Sequence, residues 1–404
     1  READERVRIG PAPAAQSYLN AEASLDAARR TGAEAIHPGY GFLSESAAFA
    51  ERCAQQEVIF VGPPAQAMQR MKDKATARRL AAAAGVPVVP GSEVVPDERA
   101  ALCEAERIGY PVIVKAAGGG GGIGMVAARA PEELSKAFRQ CSDRARAAFG
   151  REAVYLERYF AAPRHVEVQI LGDRHEHRVH LFERECSVQR RHQKVIEEAG
   201  SPLFENGRRP ELAAQLYRAA LDAARAFGYA NAGTAEFLYN EGEIYFIEMN
   251  ARLQVEHPVT ELTTGVDIIG WQLRIAAGEP LTLQQHELSR AGHALEMRVY
   301  AEDPVRFLPS PGQLSTFRLP SGDGVRVDAG YVQGSRVTPH YDPLVAKLIV
   351  SGEDRAQAIA RGREALQGFV IEGIKSNLAL HARVLSSEAF QRGEIDTAFL
   401  SRLA

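Results

Sequence analysis

Two glutamates, Glu236 and Glu248, lie in the runs Ala235-Glu236-Phe237-Leu238-Tyr239 and Ile244-Tyr245-Phe246-Ile247-Glu248, on either side of Asn240-Glu241-Gly242-Glu243. Such runs around a short glycine-containing turn read as a β-hairpin. Counting outward from the turn sets the two glutamates nearly opposite each other. Like charges opposed on a sheet repel, by on the order of 4 kcal/mol at about 4 Å and an effective dielectric near 20. One glutamate could simply point to solvent. If the strand continues, however, Glu248, Asn250 and Arg252 share a face, and two carboxylates with an amide oxygen suit Mg²⁺ (or Mn²⁺).

A second feature is Lys115-Ala116-Ala117 followed by five glycines, Gly118 to Gly122, and Ile123-Gly124-Met125. Glycines let backbone N–H groups approach phosphate oxygens. No Gly-Lys-Ser/Thr follows, so this is not a Walker A loop, and Met125-Val126-Ala127-Ala128 reads as a strand where a dinucleotide fingerprint needs a helix. Strand, glycine loop and strand make a hairpin lid over a nucleotide, with Lys115 as a charge partner. The plainer alternative is a surface loop, but ordering five glycines costs roughly 1 kcal/mol or more each, which a bound ligand would offset.

Gln189-Arg190-Arg191-His192-Gln193-Lys194 is strongly basic in a chain of net charge -4, and beside a phosphate lid it reads as an anion site. Arg164-His165-Val166-Glu167-Val168 alternates, placing His165 and Glu167 away from the apolar face. His175-Glu176-His177 follows Gly172-Asp173 and reads as an exposed turn, not a metal site.

These residues need positioning elements. A chain of 404 residues implies two or three domains. Residues 1–72 read as α/β, with strands near Ile36 and Ile59 in a parallel sheet. An alanine-rich helix is expected from Met71 to Gly85. Strands dominate from Val154 to Tyr245, interrupted by a helix from Pro210 to Phe227, and His293 to Val350 is again strand-rich before a helix at Arg355–Gly368. The slight negative charge argues against nucleic acid or an acidic membrane as partner. The four cysteines form no C-x-x-C pair, which points to reduced thiols in the cytoplasm.

Taken together, these segments resemble the biotin carboxylase family of ATP-grasp enzymes. The match is carried by His37-Pro38-Gly39-Tyr40-Gly41-Phe42-Leu43-Ser44-Glu45, the Lys115 loop, Pro163 to Glu167, Gln189 to Lys194, the specific run from Phe246 to Glu261, Glu296-Met297-Arg298 and Tyr341-Asp342. The resemblance implies an α/β and α+β multidomain fold: a partial N-terminal domain (1–72), an ATP-grasp domain (73–276, lid about 90–155) and a C-terminal domain (290–400). It implies ATP contacts at Lys74, Lys115, Gly121, Gly122, Glu157, Phe160, His165, His192 and Leu238, and metal ligands Glu236, Glu248 and Asn250. Lys194, Arg252, Gln254 and Val255 would cradle bicarbonate, Glu256 would be the general base, and Arg298 would hold the biotin enolate.

Biotin would arrive on a carboxyl carrier protein or domain, since no Ala-Met-Lys-Met attachment motif occurs. A carboxyltransferase subunit would pass the carboxyl group to an acyl-CoA or urea, and a homodimer is a possible assembly. Two departures stand out. Ile123 replaces the family's Arg or Lys in the loop, removing a cation near the phosphates. The family's opening Asn-Arg-Gly-Glu-Ile-Ala stretch does not precede Arg1, so an N-terminal truncation or a degraded member is expected, with the Ile36 strand lacking a neighbour. The competing readings are another ATP-grasp ligase, of the carbamoyl-phosphate synthetase or D-alanine ligase type, and a catalytically silent nucleotide- or carrier-binding homologue.

Overall fold

The computed structural model describes residues 3–117, 125–149 and 152–403. Near the N-terminus, Ala35–Ile36 and Ile59–Phe60 pair in parallel, as the alternation of strand and helix implies. Among the described residues no third strand joins them, and Ile59 is 39% exposed. The flanking helices Ala21–Thr31 and Ala47–Gln55 start on Asn20 and Ser46, whose side chains accept the backbone N–H of Ala23 and Phe49. Their apolar faces, with Leu25 and Phe49, share one core with Phe237 and Phe246 of the large sheet.

The expected helix from Met71 to Gly85 is two helices, Ala65–Lys72 and Lys74–Ala83. Alanine content favours continuity, but Asp73 stops it. Its carboxylate accepts from Ala75 N (3.2 Å) and Thr76 Oγ1 (2.7 Å), and an aspartate is worth more capping a helix than inside one. The break makes Lys74 the first residue of the second helix, where it meets Glu248 of the sheet.

The lid is an antiparallel three-stranded sheet in which Val112–Ala116 lies between Met125–Ala128 and Val154–Arg158. Helices Glu98–Ile108 and Pro131–Phe149 pack on it around Ala101, Val112, Leu134 and Leu156. The two strands of the expected hairpin therefore pair antiparallel. Gly121, Gly122 and Ile123 lie outside the described residues.

One eight-stranded sheet positions the chemistry. Its strands in chain order are β1 (Arg164–Gly172), β2 (Arg178–Arg190), β3 (Gln193–Ala199), β4 (Asn231–Asn240), β5 (Glu243–Asn250), β6 (His293–Tyr300), β7 (Val325–Ala329) and β8 (Leu344–Gly352). In space they run β5-β4-β1-β2-β3-β6-β8-β7, with every named pairing antiparallel. The C-terminal region thus extends the sheet begun by the ATP-grasp region. The helix Pro210–Phe227 covers the first half and ends on Gly228 at φ +65, a left-handed position that suits glycine. The helix Arg355–Gly368 covers the second half around Met297, Leu348 and Leu366.

A buried ion-pair cluster ties these halves together. Glu198 of β3 accepts two bonds from Arg355 (2.7 and 3.0 Å) and lies 2.8 Å from His293 Nε2 of β6. Burial disfavours charge on Glu198, but Arg355 and His293 outweigh it and hold the carboxyl down at about 2, against 4.5 for a free glutamate. Its stabilisation is therefore present above about pH 4.5 and is lost as pH falls through about 2. Denaturant unfolding at stepped pH should show the native chain losing on the order of 3 kcal/mol from this group across that window. Glu198→Gln should be less stable at neutral pH and show a flatter acid limb.

The turn between β2 and β3 holds two residues, Arg191 (φ +49) and His192 (φ +66), both in the left-handed region. Two-residue hairpins of this kind prefer Asn-Gly, and side chains such as these cost stability there. The double substitution Arg191→Asn with His192→Gly should raise the unfolding free energy by about 1 kcal/mol while weakening nucleotide binding, read by denaturation and titration calorimetry.

Candidate active site

The sheet register places a row of charged residues across four strands. Glu248 of β5 is the Cα partner of Glu236 of β4, with a bulge beside it; Glu236 partners Glu167 of β1, and Glu167 partners Arg184 of β2. Directly opposed residues share a face, so three carboxylates stand in line. The hairpin expectation for Glu236 and Glu248 holds, and the sheet adds a third acid.

Protein cations offset much of the repulsion. Lys74 Nζ is 2.8 Å from Glu248. Lys194 Nζ donates to Glu167, to Glu236 (3.0 Å) and to Glu256 (2.7 Å). Arg184 is fully buried and donates to Glu167 (2.6 Å), Gln169 (2.8 Å), Thr260 (3.0 Å) and Thr234 (3.1 Å). His165 Nε2 lies 3.1 Å from Glu236 Oε2 but out of line for a hydrogen bond. Burial opposes charge on Lys74 and Lys194, yet the surrounding carboxylates raise both, Lys194 strongly.

The loop after β5 carries Arg252, Gln254, Val255 and Glu256. Arg252 donates to Gln254 Oε1 (2.8 Å), Asn250 Oδ1 (3.3 Å) and Glu45 (2.5 Å), which fixes its plane. Gln254 Nε2 reaches Glu236 (3.2 Å), and Lys347 Nζ holds the Val255 carbonyl at 2.8 Å. Glu256 is fully buried, with Lys194 on one oxygen and Arg298 of β6 on the other (2.8 Å). Burial would raise its carboxyl, but Lys194, Arg298 and Arg184 hold it well below the usual range.

Lys194, Glu236, Glu248, Arg252, Gln254, Val255 and Arg298 line a cleft of about 1250 Å³ that also holds Lys74, His165 and His192, while Glu256 lies behind this wall, touching Lys194 and Arg298. Tyr40 and Phe42 wall it from the N-terminal side, and Tyr331 and Tyr341 from the C-terminal side. Of the other described ATP-contact candidates, Lys115 and Glu157 lie on lid strands, Phe160 follows the second of these, and Leu238 lies on β4. Lys115 is ion-paired with Glu157, and Phe160 stacks on Tyr245 at 5.2 Å. Leu238 is the Cα partner of His165. Both members of the lid pair act electrostatically on the cleft. Against burial, Glu248 raises Lys74 and Glu157 adds to it; burial lowers His192, and the charge of Lys115 lowers it further. A second cavity of about 760 Å³, near Arg164 and Phe399, contains none of the candidate residues.

The donor set suits a hard cation. Glu236, Glu248 and Asn250 offer oxygens on the cleft wall. Among the described residues, two other groupings place ligating atoms within 4.8 Å of one another: His165, Glu167 and Glu236, and Glu167, Cys186 and Glu256. Each of these includes a nitrogen or sulfur donor, whereas a hard cation takes oxygens, which Glu236, Glu248 and Asn250 supply. His177 makes a bond to the Leu283 carbonyl (2.7 Å) in a turn organised by Asp173, in keeping with a structural role.

Three residues escape the sequence reading of the site: Glu167, Arg184 and Glu45. Glu167 carried a signal, since alternation put it on the face of His165. Arg184 sits in a strand whose burial on both faces hides the alternation.

The family model described as "Biotin carboxylase, N-terminal domain" matches residues 1–68, "Carbamoyl-phosphate synthase L chain, ATP binding domain" matches 73–284, and "Biotin carboxylase C-terminal domain" matches 296–402. The chain is 50% identical to the biotin carboxylase of Halalkalibacterium halodurans over 403 residues, covering 99% of this chain and 88% of that protein. It is also 50% identical to the biotin carboxylase of Pseudomonas aeruginosa, covering 99% and 89%. Among solved structures, the biotin carboxylase–βγ-ATP complex from Campylobacter jejuni superposes with a TM-score of 0.92 at 43% identity, covering 96% of this chain and 86% of that one. The biotin carboxylase domain dimer of Hydrogenobacter thermophilus 2-oxoglutarate carboxylase, in complex with MgADP, ADP and bicarbonate, gives a TM-score of 0.92 at 42% identity, covering 99% and 88%. With three successive family matches along a chain whose charged row and Glu256 cradle fall inside them, this protein belongs to the biotin carboxylase family.

Proposed function

We propose that the chain carboxylates biotin at the expense of ATP and bicarbonate, by way of carboxyphosphate. The observation that carries this reading is the double anchoring of Glu256, one oxygen on Lys194 and the other on Arg298. A buried carboxylate between two cations can exchange a neighbour for an incoming anion, and that is what bicarbonate requires.

In this reading Lys194, Arg252, Gln254 and Val255 orient bicarbonate, and Glu256 accepts its proton. The bicarbonate oxygen then attacks the γ-phosphorus of ATP, and ADP leaves. Lys74, Lys115, Gly121, Gly122, His165, His192 and Leu238 contact the nucleotide, while Glu157 and Phe160 hold the adenine end. Glu236, Glu248 and Asn250 hold Mg²⁺, which supplies charge neutralisation for phosphoryl transfer. Carboxyphosphate splits to CO₂ and phosphate; phosphate removes the ureido proton, and Arg298 holds the enolate that attacks CO₂. A fixed, always-charged guanidinium suits that task better than a lysine.

The reading includes a biotin carboxyl carrier as partner, a carboxyltransferase as the next enzyme and a homodimer like the H. thermophilus relative. It also includes a cytoplasmic setting, in keeping with four cysteines that no disulfide joins among the described residues. We retain 1–72, 73–276 and 290–400 as the three units.

The direct test is bicarbonate-dependent ATP hydrolysis with and without free biotin. Stimulation by biotin is expected; nucleotide binding with no turnover would overturn the reading in favour of a silent homologue. Glu256→Gln should lower kcat by roughly 10²–10⁴-fold with nucleotide affinity retained, measured by steady-state kinetics and calorimetry. Glu236→Gln and Glu248→Gln should each raise the Mg²⁺ concentration needed for half-maximal activity by about tenfold or more, read by metal titration after chelation.

A further inference from the structure

Beneath the cradle lies a buried acidic pair that the mechanism above does not use. Glu197 of β3 and Glu296 of β6 are direct cross-strand partners, and both are fully buried. Arg298 follows Glu296 by two residues and so shares its face, and Lys347 of β8 is the Cα partner of Arg298. Four charged side chains therefore form one patch under Glu256, which opens the helix His257–Thr264.

The bonds within the patch are unequal. Arg298 Nε donates to Glu197 Oε1 at 2.5 Å, while its Nη2 reaches Glu256 Oε2 at 2.8 Å. Glu197 and Glu256 thus grip one guanidinium from two sides. Lys347 donates to the Val255 carbonyl and lies 3.4 Å from Asp328, leaving Glu296 at 3.7 Å. Both oxygens of Glu296 are buried without a hydrogen-bond partner, as is Oε2 of Glu197.

We propose that Glu197 is a positioning residue for the biotin step, fixing the Arg298 guanidinium at the angle from which it meets biotin. This rests on the assignment of Arg298 to biotin made above. Arg298 is long and could otherwise swing onto Glu256 alone; a second carboxylate on Nε removes that freedom and pre-organises the planar donor fork. Glu296 then has a defined part. Two ionised carboxylates directly opposed in a dry layer would repel, whereas a protonated Glu296 can sit beside Glu197 and donate a hydrogen bond. The groups facing it, Glu197, Arg298, Lys347 and Glu256, already pair among themselves and with Asp328. Burial pushes both carboxyls up, Glu197 only to about 7 because Arg298 opposes it and Glu296 further, so the pair's proton falls to Glu296.

The test compares four variants of the full chain by KM for free biotin and KM for ATP. Glu197→Ala should raise the biotin KM by about tenfold or more with the ATP KM within about twofold, and Glu197→Gln, which keeps the acceptor and the size, should recover part of that loss. Glu296→Gln, isosteric with the protonated acid, should leave both constants near the native values. Arg298→Gln should raise the biotin KM at least as far as Glu197→Ala. An unchanged biotin KM in Glu197→Ala and Glu197→Gln, with Arg298→Gln impaired, overturns the proposal and spares the Arg298 assignment. An unchanged biotin KM in Arg298→Gln overturns that assignment and this inference with it. If Glu197→Ala does not fold, Glu197→Gln decides: a rise confined to biotin supports the proposal, and equal rises for biotin and ATP overturn it.

Discussion

Electrostatic repulsion along one line of the sheet governs this molecule. Glu248, Glu236 and Glu167 are set side by side by strand register, which no side-chain rotation can undo. An arrangement of that kind persists only where cations meet it, and the fold brings them from four directions: Lys74 from a helix N-terminus, His165 from the same strand as Glu167, Lys194 from β3 and the buried Arg184 from β2. Each of these is oriented by the acids it neutralises. The row therefore acts as a template that holds cationic side chains at fixed positions, and a triphosphate and a small anion are the substrates such a layout suits.

Burial decides how the template is tuned. Glu256 is fully buried and Lys194 largely so, and their mutual attraction is felt at a lower effective dielectric than at the surface. Each keeps further partners, Glu167 and Glu236 for Lys194 and Arg298 for Glu256. In the proposed reaction, an anion entering between Lys194 and Arg252 would take over bonds that now go to Glu256 and Gln254. Around Glu256 the cost of buried charge is offset by dense pairing, which reaches back through Lys347 to the Val255 carbonyl and through Glu45 to Arg252.

Much of the site was legible in the sequence because its residues recur at strand spacing. The Glu236/Glu248 pairing follows from a short turn and a count, and the lid hairpin follows from strands flanking glycines. Lys74 shows the opposite: an alanine-rich run reads as one helix, and only the local competition of the Asp73 side chain for backbone N–H groups splits it. Arg184 and Glu197 were hidden for another reason. Their strands are covered on both faces, so polar and apolar residues lose the alternation that marks an exposed face. Contacts that join β3 to β6, nearly a hundred residues apart in sequence, leave no local trace at all.

The continuity of the eight-stranded sheet has a mechanical consequence. Lys194 lies on β3 and Arg298 on the adjacent β6, each just past the last rung that joins the two strands, so the groups assigned to bicarbonate and to biotin are carried by neighbouring strands of one sheet. They cannot drift apart as two lobes would, and the path of CO₂ from one to the other is set by the sheet's own spacing. A reactive, short-lived intermediate benefits from such a ruler, because the distance over which it must survive is built into the backbone.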